Sequence, residues 1–354
     1  MPPVHINLPC FSNHSNHCHG SSTVRAAQRQ FVILLAAVVG ICLILELLLP
    51  SPVHTREPAP VFPRQYLTSE CGYERRLGNV MFIYASMLGI ANHNNLTAII
   101  DYRTILTQLF ENLSARLSGD IKNTLFGSVY EYHEFGRRGS AYDRGTQHLF
   151  KTMNRTNVYL RGYFQSWRYF DNVADIVREN FKFKKSIATQ AEKFLVSVSP
   201  PKWLEAKAEF VRVGVHVRRG DMVNSAYFLD YGYTVAPPEY FAKAMAFFVK
   251  QFPRVQFVVC SDDIPWSEEN IPSARSFGEG VEIAFSRGHT LFEDLAILSS
   301  CDHTVMSVGS FGWWAAWLAN GTTVYYANWP RSFSMLEYHV DKKDYFPSHW
   351  ISLS

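Results

Sequence analysis

The chain has 354 residues and a formal net charge of +3, and 47% of its residues are hydrophobic, with 15% aromatic. This length and apolar content predict a globular protein with packed cores and argue against a disordered chain. The charge is small and the basic residues are scattered, so the sequence gives no electrostatic support for a nucleic-acid partner.

The first predicted element is an apolar run at 31–49, long enough to span a bilayer and interrupted only by Glu46 near its end. Arg25 and Arg29 precede it, so the positive-inside rule leaves residues 1–30 as a cytoplasmic tail and gives type II topology. A cleaved signal peptide is disfavoured because its apolar run is usually shorter. Residues 50–68 are rich in proline, which predicts a stiff stem between the membrane and a lumenal body.

Two further features agree with a lumenal body. Glycosylation sequons in this part of the chain occur at Asn95, Asn112, Asn154 and Asn320. Three cysteines, Cys71, Cys260 and Cys301, lie beyond the membrane segment, where disulfides can form. An odd number permits at most one internal bridge, and the sequence leaves its pairing open.

Residues 69–205 are predicted to form an N-terminal α/β domain. Leu77–His93 has the pattern of a helix, 97–102 that of an extended segment and 158–163 that of a strand. The pattern is less regular here than in the second half of the chain.

Residues 206–354 are predicted to form a C-terminal domain with alternating strands and helices. The predicted strands are Val211–Val217, 255–260, 304–307 and Thr323–Tyr326. The predicted helices are 238–251, 290–300, with a capping box of Thr290 and Glu293, and 312–319. Such alternation predicts a parallel, Rossmann-like sheet, in which ligands bind beyond the carboxyl ends of the strands.

Two arginines, Arg218 and Arg219, follow the first of these strands and lead into Gly220 and Asp221. A buried guanidinium is costly without an anion, so the pair predicts an anionic ligand. The forked geometry of a guanidinium matches phosphate oxygens, which suits a diphosphate leaving group. The competing interpretation is a surface pair in which one arginine forms a salt bridge with Asp221.

Asp262 and Asp263 follow the second strand, where a nucleotide base or ribose lies in this topology. They also suit the cap of a helix that contains Pro265, and both roles are compatible.

The third strand leads into a turn with Gly309, Ser310 and Phe311, followed by a helix. Small residues before a helix let backbone N–H groups approach phosphate, where the helix dipole also favours an anion. Trp313, Trp314 and Trp317 are interpreted as core residues because tryptophans at this spacing usually pack inward.

Together these segments resemble the fucosyltransferases that form α1,2, α1,6 and protein O-linked bonds. The resemblance is carried by VGVHVRRGD, VVCSDD and MSVGSFGWWAAWLANG, and it extends to RLGNVMFIYASMLGIA, GYFQSWRYF and YTVAPPEYF. The sequence is most similar to the galactoside α1,2-fucosyltransferase family, in a form similar to invertebrate members.

The resemblance implies a GT-B-like fold, with two facing Rossmann-like domains, and GDP-fucose as the donor. It implies that Arg218 and Arg219 hold the diphosphate, with Arg218 the more critical. The remaining implied donor contacts are His216, Asp262, Asp263, Gly309, Ser310 and Phe311 from the C-terminal domain and Gly78 and Asn79 from the N-terminal one. Asn79 has a helix cap as its alternative role.

The resemblance further implies an inverting transfer of L-fucose to the 2-hydroxyl of a galactose in a glycan, in the Golgi lumen. Arg218 is the expected catalytic residue, and Asp221 is the nearest carboxylate for a general base unless it only braces the arginines. Many Golgi transferases hold a metal with an Asp-x-Asp triplet, which this chain lacks, so neither a metal nor another cofactor is expected.

Three questions stay open at this point. The linkage could instead be α1,6 or α1,3, the chain could be an inactive type II glycan-binding protein, and it could form a homodimer through its membrane helix.

Overall fold

The computed structural model describes residues 65–69, 75–121, 129–134, 139–149, 156–207 and 209–354. The predicted cytoplasmic tail, membrane anchor and most of the stem lie outside this part, as do Cys71 and Asn154. Among the described residues, no helix combines the length and the hydropathy needed to cross a bilayer. Residues 63–354 belong to one compact unit, which contains two parallel sheets.

Strands and helices alternate along this unit. The strands are β1 (Tyr66–Ser69), β2 (Thr97–Asp101), β3 (Arg116–Ser118), β4 (Val129–His133), β5 (Asn157–Arg161), β6 (Val211–Val217), β7 (Val255–Ser261), β8 (Val281–Phe285), β9 (His303–Met306), β10 (Thr323–Tyr326) and β11 (Ile351–Leu353). The helices are α1 (Leu77–His93), α2 (Leu106–Leu109), α3 (Ala174–Asn180), α4 (Lys185–Ser197), α5 (Pro201–Glu205), α6 (Gly220–Asn224), α7 (Ala226–Tyr231), α8 (Pro238–Val249), α9 (Ile264–Asn270), α10 (Leu291–Ser299), α11 (Ser310–Ala319), α12 (Met335–His339) and α13 (Lys342–Tyr345).

The C-terminal sheet has six parallel strands in the order β8-β7-β6-β9-β10-β11. The chain winds outward from β6 through β7 to β8, then returns to the other side of β6 and continues from β9 to β11. This is the doubly wound order of dinucleotide-binding folds, and its winding direction reverses between β6 and β9. In folds with this strand order, ligands bind in a crevice at the carboxyl ends of these two strands, between the helices that follow them.

The N-terminal sheet has five parallel strands in the order β3-β2-β1-β5-β4. Its winding direction reverses between β1 and β5. The predicted α/β class with parallel sheets is confirmed.

Most predicted elements occur in the structure, with some shifted ends. The helix α11 begins at Ser310 rather than at residue 312, and β5 ends at Arg161 because Gly162 leaves the strand with φ 152°. The C-terminal sheet has six strands rather than the predicted four. The additional strands are β8 and β11 at the two edges, and partial exposure of edge strands weakens the apolar pattern that sequence analysis reads.

Buried aromatic rings join the two sheets. The ring of Phe82 on α1 lies 4.5 Å from that of Trp313 and 5.0 Å from that of Trp314, both on α11. Both tryptophans are fully buried, so the prediction that they belong to the core is confirmed. Their packing fixes the N-terminus of α1 against the N-terminus of α11.

Candidate functional site

Arg218 is the first residue after β6 and lies at the switch point of the C-terminal sheet. Its backbone N–H donates to the Oγ of Ser307, which follows β9 (2.9 Å). Its guanidinium donates to Asp221 through Nη2, and its Nη1 lies 3.4 Å from Oδ2 of Asp262. The predicted salt bridge with Asp221 is therefore present, and the guanidinium is held between two carboxylates with 20% of the side chain exposed.

Arg219 lies beside it in a more buried position. Its guanidinium carbon is 3.7 Å from the centre of the Trp266 ring, which places the cation on the ring face. Its Nε pairs with Oδ2 of Asp263 at 3.5 Å but makes no hydrogen bond, although the atom is buried. A buried donor without a hydrogen bond costs free energy, so this group suits a site that an anionic ligand completes.

Asp262 and Asp263 brace these arginines. Oδ1 of Asp262 accepts the backbone N–H of Arg219 at 2.7 Å, and Asp263 caps α9 by accepting the backbone N–H of Trp266 at 3.2 Å. The helix-cap role considered for this pair therefore belongs to Asp263. Contact of either carboxylate with a nucleotide stays a prediction.

Arg76 lies on the side of the other sheet, and the sequence analysis did not select it. It completes a charge cluster that consists of Arg76, Arg218, Arg219, Asp221, Asp262 and Asp263. It is the N-cap residue of α1, and its guanidinium donates to Oδ2 of Asp221 while Arg218 donates to Oδ1. The two partners are 145 residues apart, so no local pattern predicts the contact. Its position directly before the Leu-Gly-Asn start of α1 was the only available signal.

The two arginines set the protonation of Asp221. Burial alone raises the pKa of this carboxyl, but the hydrogen bond from Arg76 and the charges of Arg218 and Arg76 outweigh it and lower the pKa below its usual value. Asp221 is therefore ionised at neutral pH and is a weak proton acceptor in this arrangement. The geometry favours the bracing role that the sequence analysis considered beside general-base catalysis.

His216 lies behind this cluster, near the end of β6. Its ring is 5% exposed and packs against Phe311, with ring centres 5.6 Å apart. Burial, with a smaller effect of the Arg218 charge, lowers the pKa of this imidazole to about 3, so the ring is neutral. The Oγ of Ser307, which accepts from the backbone N–H of Arg218, lies 3.3 Å from its Nδ1. Contact of this buried ring with a base or ribose stays a prediction.

The N-terminus of α11 forms the second wall of the crevice. Gly309 is its N-cap with φ 90°, a conformation that other residues rarely adopt. The helix has no side-chain cap, which leaves its first N–H groups available to an anion. The hydroxyl of Ser310, however, donates to Oδ1 of Asn79 at 2.8 Å, and the same oxygen accepts from Gln165 at 2.8 Å. The helix-cap alternative for Asn79 is therefore wrong, because its side chain bridges the two sheets instead.

Gly78 allows the two helix N-termini to meet. A Cβ at this position would lie 2.6 Å from the carbonyl carbon of Ser310 and 2.7 Å from the backbone nitrogen of Phe311. Its own carbonyl accepts from Nε1 of Trp314 at 3.1 Å. Gly78 thus contributes close backbone packing at the edge of the site, while its proposed contact with the donor stays a prediction.

The site as a whole can stabilise negative charge. Two guanidinium groups on the C-terminal sheet and the free N–H groups of α11 converge on one crevice, and Arg76 approaches from the N-terminal sheet. The carboxylates hold the guanidinium groups in position, which lowers the reorganisation needed when an anion enters. The described residues contain no group of three His, Cys, Asp or Glu side chains arranged to hold a metal ion.

The predicted modification sites have different environments. The sequon residues Asn95, Asn112 and Asn320 are exposed, as glycosylation requires. Cys260 and Cys301 are buried free thiols, and burial raises the pKa of both.

Comparison of the sequence with known proteins identifies one family and relatives with similar names. The family model described as glycosyl transferase family 11 matches residues 59–354. The galactoside alpha-(1,2)-fucosyltransferase 1 of Bos taurus is 29% identical over 287 residues, covering 79% of this chain and 74% of the relative. The galactoside alpha-(1,2)-fucosyltransferase 1 of Sus scrofa is 28% identical over 315 residues, covering 86% of this chain and 80% of the relative.

A solved structure shares the fold. A variant of Arabidopsis thaliana FUT1 in complex with GDP superimposes with a TM-score of 0.50 at 14% identity, covering 74% of this chain and 70% of that chain. At this level of identity the similarity concerns the fold alone.

Proposed function

The chain belongs to glycosyl transferase family 11, and from this premise we propose that it is an inverting fucosyltransferase. It transfers L-fucose from GDP-fucose to the 2-hydroxyl of a terminal β-galactose on a glycan. The observation that carries this proposal is the pair Arg218 and Arg219 at the switch point of a doubly wound sheet, beside an uncapped helix N-terminus. The names of the curated relatives support the donor sugar, the acceptor and the linkage.

In this proposal the guanidinium groups stabilise the negative charge that develops on the leaving GDP. Breaking the bond between fucose and phosphate leaves negative charge on GDP, and positioned donors that stabilise such charge are commonly the largest catalytic contribution. Arg218 offers a fork that matches phosphate oxygens, while Arg219 is held by Trp266 and Asp263. In this proposal the arginines and the N-terminus of α11 perform the role that a divalent metal performs in other transferases, so turnover needs no metal.

Inversion requires the acceptor hydroxyl to attack from the side opposite to the leaving diphosphate. Because the transition state has oxocarbenium character, it needs only limited basic assistance. Asp221 is shared by two arginines and is ionised, so in this proposal it positions Arg218 and Arg76 for the diphosphate. The carboxylate then acts through the arginines. As the bond from the acceptor oxygen to fucose forms and the fucose–phosphate bond breaks, the hydroxyl proton passes to solvent water.

The proposal includes a Golgi location with type II topology, anchored by residues 31–49. The exposure of Asn95, Asn112 and Asn320 is compatible with a lumenal catalytic unit. Treatment of the protein expressed in animal cells with an N-glycan amidase is expected to lower its mass. An unchanged mass would contradict the lumenal placement.

The activity is tested by incubating the protein with GDP-fucose and a β-galactoside without adding metal. Release of GDP and a product whose NMR spectrum shows an α-fucosyl group on the galactose 2-oxygen are expected. The Arg218→Ala variant serves as the inactive control. A product linked through another oxygen would refute the linkage, and the absence of transfer to every galactoside would refute the function.

A further inference from the structure

A group of aromatic side chains, two of them exposed and three of them partly buried, borders the charge cluster. This aromatic patch consists of Tyr163, Tyr227, Phe228, Tyr231 and Tyr233. The side chains of Tyr227 and Tyr163 are 68% and 46% exposed. Adjacent exposed aromatic rings are uncommon on the surface of a soluble domain and usually mark a binding surface.

One wall of the aromatic patch is built by α7 and the turn after it. The rings of Tyr227 and Tyr231 are stacked at 5.9 Å with an interplanar angle of 13°, and Tyr233 lies 6.1 Å from Tyr231. The chain turns at Gly232, where φ is 114°, so that Tyr233 returns beside the helix. The hydroxyl of Tyr231 is 2.6 Å from Nδ1 of His339, which fixes the central ring. These contacts position the rings of this wall relative to one another.

The other wall of the aromatic patch is Tyr163, which follows β5 of the N-terminal sheet. The buried carboxyl of Glu134 accepts the backbone N–H groups of Tyr163 and Phe164, each at 2.9 Å. Phe164 has φ 48°, and the two hydrogen bonds hold the loop in this uncommon conformation. Arg75 lies 4.6 Å from the centre of the Tyr163 ring. The next residue in the chain, Arg76, has its guanidinium carbon 5.8 Å from the centre of the Phe228 ring, and this places the two walls near each other. Burial raises the pKa of Tyr231 and of Tyr233, the latter to about 12.

The aromatic patch is continuous with the proposed reaction centre. The guanidinium carbon of Arg76 is 5.8 Å from the centre of the Phe228 ring, and the same guanidinium pairs with Asp221. Asp221 in turn pairs with Arg218. A molecule lying on the aromatic patch thus ends next to the arginines that are proposed to hold the diphosphate.

We propose, on the basis of the function proposed above, that the aromatic patch is the acceptor subsite and that Tyr227 and Tyr163 contact the terminal β-galactose of the glycan. A galactose ring has one face formed mainly by C–H groups, which packs on an aromatic ring, and hydroxyls at its edge that hydrogen-bond to phenolic oxygens. Tyrosine supplies both contacts with little loss of side-chain entropy. The cations beside the patch are already engaged with Asp221 and Tyr163, so the surface suits a neutral sugar.

The test is a steady-state analysis of Tyr227→Ala and Tyr163→Ala with GDP-fucose and a β-galactoside acceptor. We expect each variant to raise the acceptor KM about tenfold while kcat stays within about twofold, as loss of one aromatic contact predicts. The Kd for GDP, measured by calorimetry, is expected to match that of the wild type. Tyr227→Phe retains the ring and should keep most of the acceptor affinity.

Tyr102→Ala is the matched control, because Tyr102 is 54% exposed and lies against Arg103, outside the aromatic patch. It should leave every constant unchanged. Wild-type acceptor KM in both alanine variants would overturn the assignment, and so would a loss of GDP binding in parallel with KM. A change in oligomeric mass without a change in KM would identify a self-association surface and also overturn it. Absence of transfer by the wild-type protein would instead refute the proposed function itself.

Discussion

Replacement of Arg218 by lysine tests the central element of the proposed mechanism while conserving the charge. The guanidinium reaches Asp221 with one nitrogen and lies 3.4 Å from Asp262 with another, and 20% of the side chain is exposed. A single ammonium group cannot span both carboxylates and also present two donors to a phosphate. Each hydrogen bond to a charged group is worth about 1.5–3 kcal/mol. Loss of one or two of them predicts a decrease in kcat/KM on the order of 100-fold, since about 1.4 kcal/mol corresponds to a tenfold change.

The assay is GDP release at saturating acceptor, with GDP binding measured separately by calorimetry. Arg212→Lys is the matched control, because Arg212 lies near the start of β6, the strand that Arg218 follows, and donates there to Gln256 and Ser199. The control should retain kcat/KM within about twofold per folded molecule. Near-normal turnover by Arg218→Lys, with the folded state intact, would refute the assignment of a bidentate phosphate contact.

Three further predictions concern the metal, the helix contact and pH. Activity should persist in EDTA, and loss of turnover on chelation with recovery on adding Mn²⁺ would contradict metal-independent catalysis. Gly78→Ala should lower the free energy of unfolding by about 1–3 kcal/mol in urea titrations, because the added Cβ meets the backbone of Ser310. The control Gly119→Ala should leave the free energy of unfolding unchanged, because its added Cβ meets only the movable ring of Tyr102. Burial lowers the pKa of His216 in the folded state, so its contribution to stability is retained above pH 6.5 and lost as the pH falls toward 3. Between pH 6.5 and 4.5, His216→Asn should therefore lose about 2 kcal/mol less free energy of unfolding than the wild type. An equal dependence of the free energy of unfolding on pH in both proteins would contradict a neutral buried ring.

Local patterns predicted the parts of the fold that depend on short stretches of chain. The strand β6, the strand β10 and the helix α1 have the predicted bounds, and the capping box of Thr290 and Glu293 is present at the start of α10. These features follow from apolar periodicity and from contacts within one helical turn. The edge strands β8 and β11 were missed because partial exposure weakens that periodicity.

The sequence predicted several residues that lie together at the candidate site, but not the hydrogen bonds and ion pairs between them. Arg218, Arg219 and Asp221 were selected because they follow a strand, and the sheet does place them at its switch point. Asn79 was selected for a donor contact, which stays a prediction, while the hydrogen bond of its side chain to Ser310, 231 residues away, was not predicted. The burial of the His216 ring, on strand β6, likewise depends on Phe311 and Gly312, which belong to α11.

By itself, the sequence determined the α/β class, the parallel arrangement and the residues that follow each strand. These depend on side-chain chemistry and on spacing along a few residues. Only the tertiary structure decided that Arg76 shares Asp221 with Arg218 and that Arg75 and Arg76 lie against the rings of Tyr163 and Phe228. Such contacts join residues far apart in the chain, and they form only when the packing of α1 against α11 sets the distance between the two sheets.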